Sequence, residues 1–431
     1  LDYGDLEPFY AENDRITGVS GLAGDPAYPA KQSLMPPLPM GKSGQKLAEG
    51  FDQLGWHWWP SDSAIATQPY NGRDQCINLG ACIYGCAQGA KASTDITYWP
   101  EAIRAGVELR TWCRVKEIKV GDDGLACGVT YFDEDGVEQF QPAHVVMMAC
   151  NGVGTPRILL NSVSEQFPDG LANSSGLVGK NLMLHPYASI QGVFDEPLDG
   201  YRGPHDSIWS QEFYETGEQR DFVRGFTYET TRGRGLVATA LTGVHTGRIP
   251  WGAGHHEAYR KLHNRIAGMV AICEDLPEEH NTVTLDPCIK DAHGIPAPKM
   301  RYKISDNSQN MLDFAVARAS ETLRAAGATD LIIESPLTSG GWHLMGTACM
   351  GTNPQKSVVN KYGQAHQVKN LFIVDSSVFV TSGAVNPVAT AQAITLLSSV
   401  PQIGPVKAKK LVIEHNILSI NMAKIPLYHS Y

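Results

Sequence analysis

The sequence predicts an α/β domain interrupted by a second, α+β unit with an antiparallel sheet, and three observations carry that prediction. A continuous apolar run from His144 to Cys150 fits a buried central strand and leads into a helix at Arg157–Ser162. A strand of the same kind, Asn370–Asp375, returns much later and leads through a Ser- and Gly-rich loop to a helix starting at Pro387. Between them, residues 189–335 read as short strand-like runs separated by Gly and Asp turns, with one clear helix, Met311–Ala326, closed by Gly327.

Composition bounds the rest. At about 150 residues per domain, 431 residues suggest two to three domains. Hydrophobic residues at 42% and charged residues at 19% exclude intrinsic disorder. Thirty-five basic against 45 acidic residues, a formal charge of −10, argues against a nucleic-acid surface. Nine cysteines are too sparse for a disulfide scaffold. No apolar run approaches the roughly 18 residues of a membrane helix. The chain starts at Leu1 without a signal peptide, so targeting is read only for this stretch.

The elements follow in order. Residues 1–75 read as irregular, with a short helix starting at Asp5 and Pro-rich turns around Met35–Pro39. Leu54–Pro60 holds Trp56, Trp58 and Trp59, which suit either a packed aromatic loop or a pocket wall. A helix is expected over Ile96–Ala105 and strands over Val107–Trp112 and Arg114–Val120. Asp122-Asp123-Gly124 and Asp133-Glu134-Asp135-Gly136 are hairpin turns flanking the strand Gly128–Phe132.

Three constellations could carry chemistry. In Ser382–Ala391, Asn386 is a favoured N-cap and Pro387 is preorganised for a first helical turn, ahead of Val388. Such a helix end stabilises an anion, although a merely well-capped helix would look the same. In Gly340–Gly351, His343 lies among glycines that permit close approach to a ligand, and imidazole can take a proton near neutral pH. A structural histidine is the plain alternative. Cys76, Cys82 and Cys86 fall within eleven residues and suit either an iron–sulfur cluster or a tight loop lined with buried thiols. Gly152-x-Gly154 fails as a dinucleotide fingerprint, because Arg157 stands where a third glycine belongs and Pro156 precedes it.

Taken together these segments resemble the glucose–methanol–choline (GMC) flavoprotein oxidoreductases. Ala149–Leu160 looks like the family's second signature, Gly176–Pro186 is similar to its next segment, and His343–Gly351 resembles its catalytic-histidine motif. Asn370–Ser377 and the Asn386-Pro387 loop resemble its C-terminal flavin segment, so the likeness covers about residues 1–399. The cysteine loop and Asp291–Lys299 look most like bacterial sugar, gluconate and polyol dehydrogenase large subunits.

The resemblance implies an FAD-binding, Rossmann-like domain over 76–188 and 344–399 and a substrate domain over 189–343. Residues 1–75 would start the substrate side, and 400–431 form a tail that does not resemble the family. The chain enters the family pattern inside it, at Asp5–Tyr10, so the strand–GxGxxG–helix unit that holds the ADP half of FAD is expected to be missing. His343 is implied as the base, Asn386 as the group orienting the substrate hydroxyl, and Asn386, Pro387 and Val388 as contacts to the flavin ring. Asp375 is implied as a flavin-side residue and Val115 as a backbone contact at the adenine end. Some relatives carry an iron–sulfur cluster on adjacent cysteines; here Ile77 follows Cys76, which removes one ligand.

The implied activity is oxidation of a CH–OH group in a sugar, sugar acid or polyol, with hydride passing to flavin N5. A small subunit, a cytochrome acceptor and a periplasmic or membrane-associated place in bacteria accompany that expectation. The alternatives are a sterol or long-chain alcohol oxidase of the same fold, an inactive fragment lacking the FAD cradle, and a metal-binding module on the three cysteines.

Overall fold

The computed structural model describes residues 1–31, 35–233, 235–338 and 340–403, with side chains to 399, and the backbone of 418–421. The remainder of the expected tail lies outside the described residues.

The first 75 residues are less irregular than their Gly- and Pro-rich turns suggest. They hold α1 (Tyr3–Thr17), α2 (Gly41–Leu54) and the two-residue strand β1 (Trp59–Pro60). α1 starts ahead of Asp5 because Asp2 and Asp5 cap it reciprocally, each side chain accepting from the other's backbone N–H at 3.0 and 3.1 Å. α2 lacks a side-chain cap, which removes its start signal from the sequence.

α3 (Tyr98–Arg104) leads to an antiparallel meander of β2 (Arg114–Val120), β3 (Ala126–Phe132) and β4 (Glu138–Pro142). The strand expected over 107–112 does not form. Trp112 takes φ 59°, and the exposed Arg110 bonds Glu108, Tyr131 and Gln141 instead of a strand partner.

β5 (Val146–Ala149) is the buried strand, and α4 (Asn151–Asn161) begins six residues earlier than its apolar pattern indicates. Pro156 lies inside α4 and has no N–H for the Gly152 carbonyl one turn back. The Thr347 hydroxyl donates to that carbonyl at 2.8 Å, so a residue of the distant His343 segment completes the helix. The two signature glycines are therefore helical and form no phosphate loop.

The second unit comprises β6 (Tyr187–Val193), β7 (Ile208–Ser210), β8 (Phe226–Thr231), α5 (Leu236–His245), α6 (His255–Leu262) and β9 (Ile266–Cys273). It continues through the hairpin β10 (Thr282–Lys290)–β11 (Pro296–Arg301), α7 (Asp306–Ala325) and β12 (Asp330–Glu334). Six strands form one antiparallel sheet in the order β1-β7-β8-β9-β6-β12. Strand alternation splits this sheet into two unlike faces. Ala188, Ile190, Phe226, Tyr228, Met269 and Ala271 pack against Leu47 and Phe51 of α2 and Met311, Ala315 and Leu323 of α7. Each large side chain buried there contributes about 1.5–3 kcal/mol. Tyr187, Ser189 and Gln191 of β6 and Thr227, Glu229 and Thr231 of β8 take the opposite face. The unit closes on itself, since Leu337 N–H donates to the Tyr187 carbonyl at 2.7 Å.

The chain then returns to the first sheet. β13 (Leu371–Ile373) pairs in parallel with β5, Leu371 opposite Val146, and β14 (Leu418–Asn421) pairs in parallel on the other side of β5. The core beneath joins Val146, Met148, Leu159, Leu371 and Ile373. α8 (Val388–Ile403) starts one residue after the expected Pro387, whose carbonyl accepts from Ala391 N–H at 2.9 Å. α1 packs on α8, with Tyr10 and Thr390 hydroxyls 2.7 Å apart.

Candidate active site

The loop around His343 is stitched between both units. Met345 and Met183 exchange backbone hydrogen bonds at 3.0 Å, and Gly152 N–H donates to the Leu344 carbonyl at 3.1 Å. The Ser376 hydroxyl donates to the same carbonyl at 2.7 Å, and Ala348 N–H donates to the Ser377 carbonyl at 2.8 Å. Gly346 is required here, because it takes φ +87° and a Cβ would stand 2.3 Å from the Asn181 carbonyl oxygen. A Cβ on Gly152 would meet the Leu344 backbone at 2.6 Å, so α4 and the His343 loop touch backbone to backbone.

His343 itself takes φ +62°, uncommon for a side chain with a Cβ and a mark of a site held by its surroundings. Its Nδ1 lies 2.7 Å from His185 Nδ1 and 3.0 Å from the Tyr187 hydroxyl. His185 Nε2 lies 2.8 Å from the Gly383 carbonyl, which can only accept, so Nε2 carries the His185 proton. His185 Nδ1 is then an acceptor, and His343 Nδ1–H must donate to it. That relay leaves His343 Nε2 with a free lone pair. Burial pushes the His343 pKa down to about 4 and, with the neighbouring His343, the buried His185 down to about 3. Both rings are therefore neutral at pH 7. Trp342 meets Tyr187 edge-on, ring centroids 5.1 Å apart.

Asn386 and Val388 are exposed on either side of the buried Pro387. Asn386 hydrogen-bonds Glu229, and the His185–Gly383 bond fixes the same loop to the histidine pair. Burial, followed by the charge of Asp206, raises the Glu229 pKa to about 8. Asp275 braces the assembly from behind. Its carboxylate accepts from Leu184 N–H, the Tyr302 hydroxyl and the Ser308 hydroxyl, and its backbone N–H donates to Ser382 Oγ at 2.8 Å. Burial still lifts its pKa to about 6.

The sequence-predicted residues fall into separate groups. His343 and Asn386 meet through His185, Gly383 and Glu229. Asp375 lies at the C-terminal end of β13, where its carboxylate accepts from Cys150 N–H, Thr155 Oγ1 and Ser377 N–H. Val115 lies across α4 in a groove with Arg114, Gly154, Arg157 and Ile158. Arg157 is committed to the β10–β11 hairpin through Asp291 and the Pro296 and Ile295 carbonyls. Cys76, Cys82 and Cys86 are free thiols around Leu38, Ile65 and Ala90. Among the described residues, no group of three His, Cys, Asp or Glu is placed to hold a metal ion. The tryptophan loop is packed against the antiparallel sheet. Trp56 packs edge-on against Phe213, while Trp59 pairs with Trp209 at the sheet edge.

Sequence reasoning missed His185, Tyr187 and Glu229. His185 lies within Gly176–Pro186, where nothing local marks it, whereas Glu229 is the single acidic residue of Phe226–Thr231. The residues present suit the ring of a flavin. The first turn of α8, whose leading amides lack intrahelical acceptors, begins at the exposed Val388 beside the exposed Asn386. Ser377 Oγ, buried in the preceding segment, has no partner among the described residues.

These features define a class of enzyme, one with a parallel-sheet domain, an antiparallel-sheet unit and a half-buried, neutral histidine held against both. The chain belongs to the GMC oxidoreductases, an FAD-dependent family: residues 39–187 match the N-terminal and 277–395 the C-terminal GMC oxidoreductase domain. It is 41% identical over 403 residues to 2-methyl-1,2-propanediol dehydrogenase of Mycolicibacterium austroafricanum, spanning 92% of this chain and 73% of that one. Fructose dehydrogenase large subunit of Gluconobacter japonicus is 26% identical over the same shares of both chains. Pyridoxine 4-oxidase from Mesorbium loti shares the fold, with a TM-score of 0.55 at 13% identity over 92% of this chain and 72% of that one.

Proposed function

We propose that this chain is the catalytic part of an FAD-dependent dehydrogenase that oxidises a CH–OH group of a polyol, sugar or sugar acid, with His343 as the base. The observation that carries the reading is the Gly383–His185–His343 relay, which leaves His343 Nε2 unprotonated beside the Asn386 loop. FAD, when bound, supplies the hydride acceptor at its N5. His343 Nε2 takes the hydroxyl proton, and its low pKa hands that proton on readily. Asn386 pairs with the same hydroxyl and fixes its direction. The first turn of α8, with Pro387 and Val388, offers its positive end to negative charge on the flavin ring. Asp375 holds β5 and α4 in place on the flavin side, and the Val115 backbone contacts the adenine end.

Anaerobic mixing of the flavin-loaded protein with propane-1,2-diol, glycerol, fructose and gluconate tests the reading. At least one should bleach the oxidised-flavin band, and failure of all four overturns it. A dye acceptor compared with oxygen then separates a dehydrogenase from an oxidase. Asn386→Ala should lower kcat/KM on the order of 100-fold, the usual cost of one positioned donor in such a site. The acid limb of the pH profile of kcat/KM should fall near pH 4, where His343 gains its proton, and not near the ordinary 6.5. A limb centred at 6.5 would show that His343 is not the group reported.

The proposal extends to a small subunit, a cytochrome acceptor and a periplasmic or membrane-associated place. The likeness to fructose dehydrogenase large subunit supports the small subunit. Among the described residues, no helix is long and apolar enough to cross a membrane.

A further inference from the structure

We propose that Glu229 is the specificity determinant of this site, recognising a second hydroxyl on the carbon next to the one oxidised, so that neutral vicinal diols are its preferred substrates. This inference rests on the dehydrogenase reading above. Its first support is placement. Alternation along β8 turns Phe226 and Tyr228 into the core and Glu229 onto the opposite face, where it is the one residue of that strand not fully buried. It is also the one carboxyl residue in β6, β8 and β9.

The second support is its company. Among the described residues, the groups acting on Glu229 are Asp206 and Asn386, and neither is a cation. A carboxyl held beside another acid, without a cation, costs folding free energy and calls for a ligand as its reason. The third support is reach. Asn386 is the group proposed to hold the reacting hydroxyl, and Glu229 is hydrogen-bonded to Asn386. A substrate that engages Asn386 with one hydroxyl brings its next hydroxyl to Glu229. A hydroxyl both donates and accepts, so it satisfies the carboxyl in either protonation state. A sugar acid would place its carboxylate against Glu229 and Asp206, which disfavours it. Tyr187, which feels the charge of both acids, ties this corner to His343 at 3.0 Å.

The test compares kcat/KM for propane-1,2-diol and propan-1-ol in the flavin-loaded protein, Glu229→Leu and Glu229→Gln. The dissociation constant of the diol is read in parallel from tryptophan fluorescence, with Trp342 beside Tyr187 as the reporter. Glu229→Leu should cut the diol-to-monoalcohol preference on the order of 100-fold and weaken diol binding, the usual effect of leaving a hydroxyl unpaired in a polar site. Glu229→Gln, which can still pair with a hydroxyl, should keep the preference within about tenfold of the parent. Equal losses on both substrates with an unmoved diol dissociation constant would overturn the proposal, as would an unchanged preference in the leucine variant. If the parent oxidises neither alcohol, nor glycerol, fructose or gluconate, the dehydrogenase reading fails. The binding arm, read for both alcohols, then still decides the role of Glu229: an effect passed on only through Asn386 weakens diol and monoalcohol alike, whereas a contact with the second hydroxyl weakens the diol alone.

Discussion

Replacing His343 with asparagine or alanine should lower turnover by about 10²–10⁴-fold while leaving the fold intact, the range expected when a positioned general base is removed. His343 sits at φ +62°, where asparagine is tolerated better than alanine. The asparagine variant therefore separates loss of the base from backbone strain. Both variants keep the bonds that stitch the loop, because Leu344, Met345 and Thr347 make them through groups that the substitution does not touch. Stopped-flow flavin reduction gives the rate, and circular dichroism gives the fold. Partial rescue of the alanine variant by added imidazole would mark the missing group as the base. Turnover within threefold of the parent in both variants would remove His343 from the chemistry.

Asp375→Ala should produce the largest loss of stability among the site-region substitutions, on the order of 3 kcal/mol in urea unfolding followed at the first transition. One carboxylate accepts from two backbone N–H groups and one hydroxyl, at 2.8, 2.8 and 2.6 Å. Its removal strands donors at Cys150, Ser377 and Thr155 together, and Cys150 is 1% exposed. Asp375→Asn should fall between, since its amide oxygen still accepts while its NH₂ faces a donor. A midpoint unchanged in the alanine variant would show that water replaces the carboxylate. The same carboxylate joins the end of β5 to the first turns of α4, so flavin affinity should fall with stability.

Much of this molecule was legible because its signals are local. The apolar run around Val146–Ala149 and its counterpart at Leu371–Ile373 stand out as buried strands, and Asn386-Pro387 marks the start of α8 to within one residue. What stayed hidden depends on contacts between distant residues. The helix expected from Arg157 extends back through Pro156 because the Thr347 hydroxyl supplies the donor that the proline lacks. Val107–Trp112 alternated as a strand should but found no partner strand. α2 begins without a cap and was lost among prolines. At the site, His343 drew notice through its glycines, whereas His185 sits in an ordinary-looking Leu-His-Pro run. Its role appears only when Gly383 fixes one nitrogen and His343 meets the other. Glu229 was silent for the same reason, since its meaning comes from Asn386, far along the chain.

The bond between Leu337 and Tyr187 gives the antiparallel unit an entrance and an exit that touch. A segment whose ends meet can be exchanged for another of different length without moving the strands it is spliced between. The parallel pair β5–β13, the Asp375 tie and the Thr347 patch on α4 all lie outside that segment. A change of length inside that segment therefore leaves the β5–β13 pair and its ties to α4 where they are.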